Sequence, residues 1–137
     1  PYVKAIEDRL IALGKDLIPQ GLEMVAISSN NAAKYPEDSF ENMQKLATAK
    51  SYPFAYLYDE SQEVARRFGA VCTPDFFLYD QNLKLAYRGR LDDSWKDASL
   101  VTSEELRAAI EALLRNEKPS PHQKPSMGCS IKWKEHD

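Results

Sequence analysis

"AVCTPDFFLYD", residues 70 to 80, sets Cys72 two places before Pro74 at the entrance to an apolar run. The chain has only two cysteines, and one of them stands here. One reading makes Cys72 a small buried filler, since free cysteine is among the residues most often found inside. The other makes Thr73-Pro74 one wall of a thiol site, with Cys72 looking into it. The apolar run "DFFLYD" reads as a strand. With "KLAYRGR" after the turn residues Gln81-Asn82, it predicts an antiparallel hairpin.

Upstream, "PFAYLYD" reads as a short aromatic-rich strand and "SQEVARRFG" as a short helix stopped by Gly69. "LEMVAISSN" (22 to 30) predicts a buried strand ending in polar residues. "YPEDSFENMQKLATAK" predicts a helix with Phe40, Met43, Leu46 and Ala47 inward and Asp38 or Ser39 as its cap. In "PYVKAIEDRLIALGKDL" the apolar residues Val3, Ile6, Leu10, Leu13 and Leu17 recur at steps of three and four, one face of an amphipathic helix. Pro1 suits the first helical position, where a missing N–H costs no intrahelical bond. Gly14 and the Pro19-Gln20-Gly21 turn are expected to close that helix.

Downstream, "TSEELRAAIEALLRN" carries a capping box of Thr102 and Glu105, with Leu106, Ala109, Ile110 and Leu113 as its buried stripe. After Glu117 three prolines and scattered charges replace the periodicity. Residues 1–117 are therefore expected to form one domain and 118–137 a flexible tail carrying Cys129. Strands alternating with helices imply parallel pairing with crossovers, and the hairpin adds antiparallel strands. The expected fold is α/β, a mixed central sheet flanked by helices. A strand immediately before Pro1 would complete a βαβ unit with residues 22 to 28, so the expectation is a chain lacking its first strand.

The chain of 137 residues is 43% apolar and 28% charged, ordinary values for a soluble globular domain. A net charge of −3 argues against a nucleic-acid or acidic-membrane surface. No apolar run approaches the roughly 18 residues of a membrane span. Two cysteines make no disulfide framework, and two histidines argue against a four-ligand zinc site. Neither G-x-G-x-x-G nor G-x-x-x-x-G-K occurs, so no cofactor is expected. The cytoplasm is the default location.

The helix and strand order, with "TP" before the hairpin, resembles the thioredoxin-like fold. "PYVKAIEDRL", "VAISSN", "YPFAYLYDESQEVARRFGAVCTPDFFLYD", "YRGRLDD" and "KPSMGCSIKWK" resemble the redoxin branch related to alkyl hydroperoxide reductase and thiol-specific antioxidant proteins. In that family a cysteine directly precedes the proline-tyrosine-valine at the start of the first helix. Here that position falls before Pro1, so the nucleophile the resemblance implies lies outside the sequence.

The resemblance implies a thiol-dependent oxidoreductase that reduces peroxides or disulfides, supplied by a thiol reductant such as a thioredoxin. A homodimer is compatible with it; nucleic-acid and membrane partners are not expected. It implies a cis-proline at Pro74, whose peptide lets Thr73 present its polar groups to a bound thiol or peptide. Pro1 would open the helix whose amide dipoles make the preceding sulfur acidic. Cys129 or Cys72 would resolve the oxidised product; as alternatives Cys72 fills space and Cys129 is an exposed bystander. Arg90, with Arg88, Asp92 and Asp93 nearby, would polarise a peroxide or stand in local ion pairs. Tyr2, Phe76 and Trp95 are candidate pocket walls or packing residues. Another reading is a redox-inactive thioredoxin-like binding module that holds a partner in the cis-proline groove.

Overall fold

The computed structural model describes residues 2–134; Pro1 and residues 135–137, including His136, lie outside the described residues. In chain order the elements are α1 (Tyr2–Leu17), β1 (Val25–Ser28), α2 (Phe40–Ala49), β2 (Ala55–Tyr58), α3 (Glu63–Phe68), β3 (Cys72–Thr73), β4 (Phe76–Tyr79), β5 (Leu85–Gly89), α4 (Glu105–Leu114) and β6 (Cys129–Ser130). The chain forms two compact units, one of Pro1–Leu22 with Cys72–Cys129 and the other of Glu23–Val71 with Ser130–Asp137.

In the first unit, α1 buries Ile6, Ile11, Leu13, Gly14 and Leu17. This is the expected face turned slightly, since Val3 is exposed. Gly14 lies inside the helix instead of closing it. Closure falls to a 3-10 turn over Ile18–Gln20 and to Gly21, whose φ of 118° suits a residue without a Cβ. β4 and β5 pair antiparallel in the register Phe76↔Gly89, Phe77↔Arg88 and Leu78↔Tyr87, with an irregularity between Leu78 and Tyr79. Their turn is built on Asp80, whose Oδ1 accepts from Asn82 N at 2.8 Å and Lys84 N at 3.0 Å. α4 buries Leu106, Ala109, Ile110 and Ala112, with Leu113 only half-buried.

The expected capping box on α4 is absent. Glu104 occupies the cap position without a side-chain bond. The Thr102 hydroxyl instead donates to Asp93, and Asp93 Oδ1 also accepts from Thr102 N at 2.8 Å and Ser103 N at 3.1 Å. A carboxylate from another loop, satisfying two backbone donors at once, outcompetes the local cap.

In the second unit, β1 and β2 pair parallel from Val25↔Ala55 to Ser28↔Tyr58. The expected buried strand is only half covered: Val25 is 54% and Ile27 42% exposed. On α2 only Met43 is buried, while Phe40 and Leu46 are exposed. A two-stranded ladder is too narrow to cover the whole apolar stripe. Ser39 does cap α2, its hydroxyl accepting from Asn42 N at 3.2 Å.

The buried centre of this unit is polar and fully bonded. Asp59 accepts from the Ser29 hydroxyl at 2.7 Å and from Ala65 N at 3.0 Å, which caps α3 from outside the helix. Burial opposes the charged form, but the bonds from Ala65, Ser29 and Val64 outweigh it and hold the Asp59 carboxyl below the ordinary carboxylate range. Gln62 is 0% exposed. Its Nε2 donates to Ser29 O at 2.7 Å and Lys132 O at 2.9 Å, while its Oε1 accepts from Lys134 N at 2.9 Å.

Among the described residues the strands form three two-stranded ladders, parallel for β1–β2 and antiparallel for β4–β5, with β3 beside β6. Among the described residues no helix is long and apolar enough to cross a membrane.

Candidate functional site

The site lies in the first unit, where the opening turns of α1, the Thr73–Pro74 bend and the loop after β5 line one concavity. The Thr73–Pro74 peptide bond is cis. The concavity has a volume of about 310 Å³, and its walls include Ile6, Pro74, Phe76, Arg90, Trp95 and Met127. Pro1 lies outside the described residues, so the helix is seen from Tyr2 onward. The Tyr2 ring rests on the Trp95 ring, with centroids 4.0 Å apart and planes inclined by 37°. Tyr2, Phe76 and Trp95 are therefore gathered at one end of α1.

Arg9, two turns into α1, fixes the loop that carries Trp95. Its Nη1 donates to Asp92 Oδ2 at 2.6 Å and Ser94 O at 2.8 Å, and its Nη2 donates to Trp95 O at 2.6 Å. Asp92 is buried, and its other oxygen accepts from Ser94 N at 3.0 Å. A guanidinium fork suits two carbonyls and a carboxylate better than an ammonium would. Nothing in the helix periodicity singles Arg9 out, because its partners on that loop lie more than eighty positions away.

Arg90 lines the concavity, but its guanidinium is committed to Glu105, with Nε donating to Oε1 at 2.6 Å. The Arg90 carbonyl accepts a short bond from the Tyr87 hydroxyl. Burial first, and the Glu105 charge second, push the Tyr87 hydroxyl up to about 12. Arg88 pairs with Asp75 at 3.1 Å and lies over the Phe77 ring.

Cys72 is half-buried, its Sγ 3.6 Å from Pro74 O and 4.0 Å from Ser126 O. Burial, and then the Asp75 charge, raise its thiol pKa against the opposing pull of Arg88. At neutral pH it stands as a protonated thiol and weak nucleophile. Both cysteines are free.

The segment that carries Cys129 makes several bonds within the first unit. The Cys129 carbonyl accepts from the Thr73 hydroxyl at 3.5 Å. Before it, Gln123 accepts from Arg88 N at 3.1 Å and donates to Ala86 O at 3.0 Å, while Lys124 O accepts from Arg90 N at 3.1 Å. The Ser126 hydroxyl bridges Gly89 O at 2.6 Å and Asp75 Oδ1 at 2.8 Å. A Cβ on Gly128 would lie 2.1 Å from Thr73 O, so only glycine lets the backbone pass there. In the second unit, Asn31 N donates to Lys132 O at 2.7 Å and Arg66 covers the Trp133 ring. The segment is held by backbone bonds, which leave no trace in hydrophobic periodicity. Gly128, between Met127 and Cys129, is the one available signal.

A larger concavity of about 600 Å³ lies in the second unit, between Ile27, Leu57, Val64 and the 58–61 turn. Of its two acids, Asp59 and Glu60, Asp59 is bonded to the α3 amides, and Lys134 Nζ donates to Glu60 O at 2.7 Å.

Comparison with known proteins gives three findings. The profile of the AhpC/TSA family matches residues 1–88. An uncharacterized conserved protein from Geobacillus kaustophilus is 52% identical with a TM-score of 0.93, over 98% of this chain and 72% of that one. A hypothetical protein from Sinorhizobium meliloti 1021 is 44% identical with a TM-score of 0.93, over 98% of this chain and 74% of that one. Among curated proteins nothing matches.

Proposed function

The chain belongs to the AhpC/TSA family, and from that premise we propose that it reduces peroxides or disulfides through a cysteine immediately ahead of Pro1. Membership carries a thiol-dependent, redoxin-type function in general. The finer reading is supported by one observation: Ile6 of α1 and Pro74 line the same concavity, and Tyr2, at the helix start, rests on its Trp95 wall.

A sulfur at that helix end meets unpaired amide N–H groups and about half a positive charge from the aligned peptide dipoles. Such a place lowers a cysteine pKa from about 8.5 into the range of about 3.5–7.5. The thiolate attacks one oxygen of a peroxide. An S–O bond forms, the O–O bond breaks, and the leaving oxygen takes a proton as alcohol or water. The resulting sulfenic acid condenses with a second thiol, releasing water and leaving a disulfide. An external dithiol, such as a thioredoxin, returns two electrons and two protons by exchange. With a disulfide substrate, the same thiolate forms an S–S bond and expels a thiolate.

Of the chain's own cysteines, Cys72 is the one beside Pro74, and Cys129 is bound to Thr73 through its carbonyl. The role of second thiol falls to one of them or to the reductant. Arg90, turned to Glu105, serves as a wall.

The test uses the full-length protein. Replacing the residue before Pro1 by serine abolishes peroxide consumption in stopped flow and disulfide reduction under a dithiol reductant. A residue other than cysteine at that place, or unchanged turnover, overturns the reading.

A further inference from the structure

Resting on the peroxide-reducing half of that reading, we propose that Met127 is a modification site. A hydroperoxide entering the concavity converts its thioether to the sulfoxide, and the sulfoxide slows the thiol chemistry. Met127 lines the concavity with Pro74, Phe76 and Trp95, yet it is 56% exposed. Its sulfur is therefore open both to solvent and to the place where the peroxide is consumed.

The chain is fixed on both sides of it. The Ser126 hydroxyl lies 2.6 Å from Gly89 O and 2.8 Å from Asp75 Oδ1, and it accepts from Phe76 N at 3.4 Å. Gly128 sits so closely on Thr73 that a Cβ would fall 2.1 Å from the carbonyl oxygen. The Met127 main chain cannot leave the wall without breaking these contacts. The chain has three methionines, and the other two supply the contrast. Met43 is 4% exposed and Met24 is half-buried; both belong to the second unit, and neither lines this concavity.

The step balances with the peroxide as oxidant. A sulfur lone pair attacks one peroxide oxygen, an S–O bond forms and the O–O bond breaks. The proton of the attacked hydroxyl passes to the leaving oxygen, which departs as alcohol or water. Sulfur gives up two electrons and the peroxide takes them. A flexible apolar side chain becomes a polar, chiral one, and methionine sulfoxide reductases reverse the change. The new S=O group needs a hydrogen-bond donor, so it draws water onto a wall that Ile6, Phe76, Leu91 and Trp95 otherwise keep apolar. That water screens the helix-end amides that favour the thiolate, and attack slows.

The experiment treats the full-length protein, its thiols first capped as methyl disulfides, with tert-butyl hydroperoxide and reads each methionine by peptide mass. Met127 is expected to gain one oxygen atom at least about fivefold faster than Met24 or Met43. Once the thiols are freed, peroxide turnover is expected to fall at least about threefold below that of the untreated protein. Methionine sulfoxide reductases should restore it. Met127→Leu, measured against its own untreated rate, should show no such fall. Oxidation of Met24 or Met43 as fast as Met127 overturns the proposal. A Met127 sulfoxide that leaves turnover unchanged overturns it too, as does an equal fall in Met127→Leu. The order of oxidation is read without turnover. A protein that consumes no peroxide sinks the oxidoreductase reading and the control of its rate, while the place of modification stands or falls on mass alone.

Discussion

Arg9 and Asp92, 83 positions apart, meet at 2.6 Å and tie the first helix to the loop after β5. Asp92 is 6% exposed, and its carboxylate is bonded to that guanidinium and to Ser94 N. Arg9→Ala is expected to cost about 3 kcal/mol, because it leaves a buried carboxylate unpaired. Urea denaturation measures the loss. The near-UV circular dichroism of the Tyr2–Trp95 pair should weaken as well, since the carbonyl of Trp95 is released. Arg9→Lys keeps the charge without the fork and should recover only part of both.

Gln62 holds the last described residues of the second unit. Gln62→Leu keeps the volume but leaves Ser29 O and Lys134 N without their partners and Lys132 O with only its bond from Asn31 N. Unsatisfied buried groups cost about 1–3 kcal/mol each, so a loss of about 2–4 kcal/mol is expected. Hydrogen exchange at Lys134 should accelerate, and an unchanged rate would refute the role given to Gln62.

Two glycines separate crowding from conformation. Gly128→Ala places a methyl 2.1 Å from a backbone oxygen. Overpacking of this kind costs about 1–3 kcal/mol or more. Gly69, at φ 71°, has nothing within 4 Å of its added Cβ. Gly69→Ala therefore costs only the left-handed conformation, about 1–2 kcal/mol. The larger loss in Gly128→Ala, read from denaturation midpoints, is the expected order.

Acid stability follows from Asp59 and Asp93. Hydrogen bonds from the Thr102 hydroxyl, then Thr102 N and Ser103 N, lower the Asp93 pKa to about 2. Asp59 is lowered as well. An unfolded aspartate titrates near about 3.9, so both groups contribute stability above that pH. The contribution is lost as pH falls through the folded values, which for Asp93 means toward about 2. Asp93→Asn and Asp59→Asn should each flatten the fall in stability between about pH 4 and pH 2. An unaltered slope in both variants contradicts these assignments.

Elements that periodicity and turn chemistry settle locally are legible in the sequence. α1, α2 with its Ser39 cap, the parallel pair, the 76–89 hairpin and α4 all follow from apolar spacing and turn residues. Features decided by distant backbone or charge are not. Asp93 replaces the capping box at Thr102 because two amides reach it, and Gly14 stays helical on the buried face of α1. The bonds that Gln123, Ser126 and Gln62 make with or from the 118–134 stretch are not legible, because their partners lie far away in sequence. Around the concavity, Pro74, Trp95 and Tyr2 are legible as types. Arg9 and Met127 are not, because a helix-surface arginine and a lone methionine carry no spacing signal.

The central claim concerns one acidic sulfur at the start of α1, and thiol alkylation of the full-length protein tests it most directly. Iodoacetamide labelling across pH, resolved by peptide mass, should find a cysteine preceding Pro1 that reacts with an apparent pKa below about 7.5. Cys72, raised by burial, should react at that pH far more slowly. A preceding residue that is not cysteine, or one that labels no faster than Cys72, would contradict the account.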